Sequence, residues 1–144
     1  MKKYKNLECV LLIDDDEATN FYNQSIIEEL DIDVEIEVAY SGQEGLDFLT
    51  KKTDDYGSLK FPKPGIIFLD VNMPGMNGWE FLDKYQMLPE EQKAMLIVTM
   101  LTTSTNPDDK AKAKKYDYVG GFLSKPLKTI DVQNIIDKNF ELIE

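Results

Sequence analysis

Four apolar runs in this 144-residue chain each give way to residues with chemistry in them. Asp14, Asp15 and Asp16 follow residues 7–13. Asp70 ends the run 66–69, Thr102 and Thr103 follow 95–101, and Lys125 with Pro126 follows 118–123. Carboxylates brought together repel, and they raise one another's pKa unless a cation neutralises them. An all-oxygen cluster that keeps several waters suits Mg²⁺, with Mn²⁺ as a substitute. One hydroxyl and one ammonium beside such a cation are the equipment for holding a phosphoryl group.

These residues meet only if the runs are neighbouring parallel strands. Ile66, Ile67, Phe68 and Leu69 read as a strand buried on both faces, with Asp70 where it leaves the core. Pro74, Gly75, Asn77 and Gly78 then turn the chain into a helix over about 79–87, with Asn77 as its cap and Glu80 at N3. After the first acids a helix runs from about 17 to 30. Asp16 is its N-cap, and Tyr22, Ile26, Ile27 and Leu30 mark its inner side. Val34, Ile36 and Val38 alternate with Glu35 and Glu37, as expected of a strand at a sheet edge. Ser41 and Glu44 fit a capping box that opens a helix to about Lys52, and a long polar loop fills 53–64. Pro107, Asp108 and Asp109 start a helix to about Tyr116 that has few large apolar residues to hold it. A closing helix from Thr129 carries Val132, Ile135, Ile136, Phe140 and Ile143 at core spacing. Five rounds of strand then helix predict a (βα)5 α/β fold, a doubly wound five-stranded parallel sheet with helices on both faces. In such a sheet every strand's C-terminal end lies at one edge, where ligands bind.

Composition narrows the chemistry. The length suits one domain, and 42% apolar with 30% charged residues is the balance of a soluble globular protein. No stretch is long enough to span a membrane and the N-terminus lacks an apolar signal core, so a cytoplasmic location is expected. Cys9, alone in the chain, reads as a small core residue. A net charge of −11 argues against direct nucleic-acid binding. There is no His, and all sixteen basic residues are Lys. Histidine-based nucleophile activation, histidine-ligated metals and an arginine finger are therefore excluded within the chain.

Asp14-Asp15, the stretch from Leu69 to Gly78 (Leu-Asp-Val-Asn-Met-Pro-Gly-Met-Asn-Gly), Thr102 and Lys125-Pro126 together resemble the receiver domain of two-component response regulators, over about 7–143. The resemblance implies a flavodoxin-like or CheY-like sheet of order 2-1-3-4-5, with residues 1–144 forming one receiver domain. It implies Asp70 as phospho-acceptor, taking a phosphoryl group from a phosphohistidine on a sensor histidine kinase or histidine phosphotransfer protein. Asp15 resembles the direct Mg²⁺ ligand, Asp14 a ligand through water, and Asn72 a backbone-carbonyl ligand. Lys125 and Thr102 would contact phosphoryl oxygens, with the Thr103 N–H in support, and the Lys125–Pro126 peptide is usually cis in this family. Phe122 stands where the family keeps an aromatic switch residue; a constitutively buried core Phe is the alternative.

Two registers are open to choice. Asp14-Asp15 is preferred over Asp15-Asp16 because Asp16 suits the helix cap, and Thr102 over Thr99 because Thr99 falls inside its apolar run. Trp79, just past the acceptor loop, is placed to report on the site by fluorescence; packing against the first helix or solvent is the alternative. Over 107–128 six Lys oppose three acids, a local charge of about +3. The family places its switching face and downstream protein contacts there, and a homodimer through the fourth-helix to fifth-helix face. The chain stops about where a receiver does, so a stand-alone receiver is expected, with one cut from a larger regulator or hybrid kinase as the alternative. A small phosphohydrolase using Asp70 is the reading from another class, but Asn72 stands where its second acid would be. A flavodoxin-like cofactor site would need a phosphate loop where three acids stand.

Overall fold

Continuous apolar runs have no polar face to turn outward, so both faces must be covered. β1 (Cys9–Ile13) and β3 (Ile66–Asp70) are accordingly buried at every residue. The computed structural model describes residues 1–51, 64–90, 93, 97–103 and 107–143. Outside them lie the expected loop at 53–64 apart from Pro64, the helix end at Lys52, the start of the fourth strand at Met95, Ser104 and Asn106. The other elements are α1 (Glu17–Glu28), β2 (Glu35–Ala39), α2 (Gly42–Thr50), α3 (Gly78–Gln86), β4 (Ile97–Thr102), α4 (Pro107–Ala113), β5 (Val119–Ser124) and α5 (Thr129–Asn139). The five strands form one parallel sheet in the order β2-β1-β3-β4-β5.

Side-chain alternation sorts the strands onto two cores. Val10, Leu12, Ile66, Phe68 and Leu101 pack with Ile26 and Ile27 of α1 and Val132 and Ile136 of α5. Leu11, Ile13, Ile67, Leu69, Val98 and Met100 pack with α2 (Leu46, Leu49), α3 (Phe81, Leu82, Tyr85) and Ala113 of α4. Each fully buried large apolar side chain contributes roughly 1.5–3 kcal/mol, so five-residue strands suffice. Asp14, Asp70 and Lys125 each lie two residues beyond a member of the first row, namely Leu12, Phe68 and Leu123. That shared parity brings them together at the sheet's C-terminal edge.

The edges are weaker. β2 and β5 are each only partly buried, and a register shift between Val98 and Thr99 bulges β5 at Gly120. α4 has seven residues, ends at Ala113 before Tyr116, and buries only that alanine among its described residues.

Several local readings are corrected. In α1 the buried residues are Asn20, Asn23, Ile26 and Ile27. Tyr22 is 41% exposed, and its hydroxyl reaches across to donate to the Leu127 carbonyl at 3.1 Å. Leu30 lies beyond the helix and is only partly buried. Ile143 is 52% exposed because α5 ends at Asn139 and the chain turns to donate the Ile143 N–H to the Lys3 carbonyl. The Ser41 hydroxyl accepts the Glu44 N–H at 3.1 Å, but Glu44 returns its carboxylate to the Tyr40 N–H at 3.2 Å, one residue before the expected donor. The Asn77–Glu80 box is reciprocal as expected.

Candidate functional site

The register of the sheet builds the site. Ile13 pairs with Leu69 and Asp70 with Leu101, so Asp14 and Asp70 stand side by side and Thr102 falls one step further along β4. The Lys125 N–H donates to the Thr102 carbonyl at 2.8 Å, closing β5 onto that step. Thr99 lies opposite Phe68 and Gly121, fully buried inside the sheet. The peptide between Lys125 and Pro126 is cis.

Carboxylate oxygens of Asp14, Asp15 and Asp70 lie within 4.8 Å of one another. Asp14 and Asp70 are buried, whereas Asp15 is exposed. The Lys125 ammonium bridges the two buried acids, 2.8 Å from Asp14 Oδ2 and 3.0 Å from Asp70 Oδ1. The Asp16 N–H donates to Asp14 Oδ1 at 2.9 Å, and the Asn72 N–H to Asp70 Oδ1 at 3.3 Å. Asp16 itself caps α1, accepting the N–H and hydroxyl of Thr19, which hold its carboxyl below the usual range.

Burial pushes the Asp70 carboxyl above the usual carboxylate range; Lys125 pulls it back and the charge of Asp14 adds to the rise. Burial works against the charge of Lys125, yet its bonds to Asp14 and Asp70 prevail and raise its pKa. Three carboxylates against one ammonium leave a net negative oxygen cluster open to solvent at Asp15. That donor set fits a hard divalent cation such as Mg²⁺, and no His or thiolate competes for a softer one. The Cys9 thiol is buried within β1, with its pKa pushed to about 12 first by burial and then by Glu37 and Glu35, so it stays a core residue.

The loop after Asp70 is held from behind. The Gly78 N–H donates to the Val71 carbonyl at 2.9 Å, and the Val71 N–H to the Leu101 carbonyl at 3.0 Å. Phe122 is half-buried against the α3 and α4 side and lines a groove of about 200 Å³ with Lys110, Lys114, Val119 and Gly121. Thr103 is exposed.

An aromatic clasp joins α3 to the segment after α4, in place of the alternative contact of Trp79 with the first helix or solvent. Trp79 stacks on Tyr116 with ring centroids 6.3 Å apart, and the Lys112 ammonium sits 4.7 Å from the Trp79 ring centroid. The Tyr116 hydroxyl donates to Asp83 at 3.0 Å, and the Tyr118 hydroxyl to the Leu82 carbonyl at 2.8 Å. With so little of α4 buried, these contacts place it. Tyr116→Ala is expected to shift Trp79 emission to the red and to speed amide exchange over 107–116 about tenfold or more, equivalent to the roughly 1.4 kcal/mol carried by such an aromatic pair. Unchanged emission and exchange would show that α4 is held by something else.

Sequence reasoning missed Asn20 and Asn23, although positions 20, 23 and 27 share one helical face and the spacing was there to find. It also missed the clasp, for which no local pattern exists.

The model of the response regulator receiver domain matches residues 10–137. The chain belongs to the response regulator receiver domain family. This receiver domain is 31% identical over 102 residues to the response regulator Rcp1 of Synechocystis, a match covering 71% of this chain and 66% of Rcp1. The crystal structure of a two-component response regulator from Cytophaga hutchinsonii matches with a TM-score of 0.78 at 37% identity, over 93% of this chain and 97% of that one. Chemotaxis protein CheY4 of Vibrio cholerae matches with a TM-score of 0.72 at 26% identity, over 92% and 98%. The receiver therefore has the CheY-like fold and is a module of two-component signalling, a family of signalling domains and not of free-standing enzymes. Among the described residues no helix is long and apolar enough to cross a membrane.

Proposed function

We propose that residues 1–144 act as one receiver unit that accepts a phosphoryl group on Asp70 from a phosphohistidine of a partner kinase or phosphotransfer protein. An Asp70 carboxylate oxygen attacks phosphorus, the bond from phosphorus to the histidine nitrogen breaks, and an acyl phosphate remains. Asp15 would hold Mg²⁺ directly, Asp14 through a water, and Asn72 through its backbone carbonyl. The cation would neutralise charge on the phosphoryl oxygens and on the crowded acids. Lys125, already 3.0 Å from Asp70, is the ammonium for one phosphoryl oxygen, and the Thr102 hydroxyl and Thr103 N–H serve the others.

The convergence of three carboxylates within 4.8 Å, the two buried ones bridged by one partly buried ammonium, carries this reading. New charge on Asp70 draws Lys125 and Thr102 toward it, and Phe122 and the thinly anchored α4 then shift. The output passes by contact with a downstream protein, or by onward transfer of the phosphoryl group. The test is incubation with Mg²⁺ and acetyl phosphate. One acid-stable, base-labile phosphoryl group per chain is expected by intact mass, and none in Asp70→Asn. Equal labelling of that variant would overturn the assignment.

A further inference from the structure

Asp15 differs from its neighbours in how it is held. Asp14 is tied at every polar atom. Its N–H donates to the Ala39 carbonyl at 3.1 Å, its Oδ1 accepts the Asp16 N–H, and its Oδ2 accepts Lys125. Its carbonyl, just beyond the end of the β1–β2 ladder, accepts the side-chain amide of Asn20, with Nδ2 at 2.8 Å. Among the described residues, Asp15 makes no side-chain hydrogen bond and is exposed. Among the described residues, the backbone of the turn is therefore what aims its carboxylate.

Asn20 is 2% exposed on the inner face of α1, and its own N–H donates to the Asp16 carbonyl at 3.1 Å. One residue thus closes the turn on both sides of Asp15, with its side-chain amide on the Asp14 carbonyl and its backbone N–H on the Asp16 carbonyl. The arrangement has a cost: among the described residues, Asn20 Oδ1 is buried without a hydrogen-bond partner. An apolar residue at this point of the core would leave no such orphan. The amide is therefore poorly explained as packing, and its one satisfied bond is the one that fixes the acidic turn.

We propose that Asn20 is a positioning residue for the metal-binding turn: by clamping the Asp14 carbonyl, it sets the direction in which Asp15 presents its carboxylate to Mg²⁺. This rests on the reading of Asp14 and Asp15 given above. Second partners of this kind typically change metal affinity by tenfold or more while making no contact with the ion.

Asn20→Ala and Asn20→Asp separate the clamp from simpler effects. Titration with MgCl₂ followed by calorimetry is expected to give a dissociation constant about tenfold higher for Asn20→Ala than for the wild type. In the metal-free proteins, the amides of Asp15 and Asp16 are expected to exchange faster in that variant. Asn20→Asp adds a negative charge near the site, which by Coulomb attraction alone would tighten Mg²⁺ binding. Because it replaces the donor with an acceptor facing the Asp14 carbonyl, weaker binding is expected instead. Asn20→Ala binding within twofold of the wild type, or tighter binding by Asn20→Asp, would overturn the proposal; should Asn20→Asp not fold, Asn20→Ala decides alone. A wild-type protein that neither binds Mg²⁺ nor labels on Asp70 would instead overturn the proposed function. Normal wild-type behaviour with an unaltered Asn20→Ala overturns only the positioning role.

Discussion

Lys125→Met is expected to destabilise the fold by about 3 kcal/mol at pH 7, the cost of stranding a buried ion pair's partners. The side chain of Lys125 is 19% exposed, and it is the ammonium that faces the 3–4% exposed carboxylates of Asp14 and Asp70. Methionine keeps most of the volume and removes the charge, so two carboxylates are left facing each other with little solvent. The loss carries a pH signature. Asp70 already ionises above its unfolded value, and without Lys125 its folded pKa rises further. A carboxyl raised on folding binds its proton more tightly in the folded state, so stability falls as pH rises through the interval between the two values. The deficit of Lys125→Met is therefore fully present at neutral pH and shrinks as pH falls toward the ordinary carboxylate range. Added Mg²⁺ at pH 7 is expected to restore part of it, because a divalent cation does the same neutralising work. Urea unfolding at pH 7 and pH 5, with and without Mg²⁺, measures all three effects. A variant within 1 kcal/mol of the wild type at pH 7 would show that the bridge is not what stabilises the acids.

The second large effect is expected at Gly78, where α3 begins against the end of β3. A Cβ there would lie 2.8 Å from the Val71 Cα and 2.9 Å from the Asp70 carbonyl oxygen. Both are backbone atoms at the end of β3 and the residue after it, so no side chain can swing aside. Gly78→Ala is expected to cost about 3 kcal/mol, at the upper end for an overpacked site. It should also slow labelling of Asp70, since the displaced backbone is that of Asp70 and Val71. Gly75→Ala is the matched comparison. Gly75 has φ +72° with nothing within 4 Å of a Cβ, so alanine there incurs only the left-handed backbone cost of about 1 kcal/mol. Close approach and backbone conformation are thereby separated within one loop. If Gly78→Ala unfolds no more easily than Gly75→Ala, the close approach has been misjudged.

The lysines in and just after α4 divide between the aromatic clasp and the groove beside Phe122. The sequence reading treated Lys110, Lys112, Lys114 and Lys115 as one charged region. Their roles diverge in the fold: Lys112 lies over Trp79, whereas Lys110 and Lys114 flank the groove beside Phe122. Lys125, counted with them, has its charge consumed by Asp14 and Asp70. The unpaired positive charge of this region is therefore smaller, and closer to α4, than the residue count suggests.

Much of the scaffold was legible in the chain because its signals are local. Val10 to Ile13 and Ile66 to Leu69 admit no solvent face, so two central strands followed from composition alone. Asp16 and Asn77 cap their helices with bonds that span three residues, and such short-range bonds can be read from spacing. The acids, the threonines and Lys125 could be listed at one edge as soon as the strands were parallel. What stayed out of reach depended on closure of the chain. Lys125 reaches Asp14 across 111 positions, and Tyr116 reaches Asp83 across 33. No periodicity encodes either contact, since each is set by how helices settle on a twisted sheet. Tyr22 fitted the apolar stripe of α1, yet the space beneath that stripe is filled by Asn20 and Asn23, whose value lies in bonds and not in apolar area. Strand ends read from the chain bring these groups to the carboxyl edge, whereas contacts across the fold settle which of them are held, by what, and which one, Asp15, is left with no side-chain hydrogen bond among the described residues. The physical reason is that burial and strand ends follow from local pattern, whereas the aim of a carboxylate follows from partners brought in by the rest of the fold.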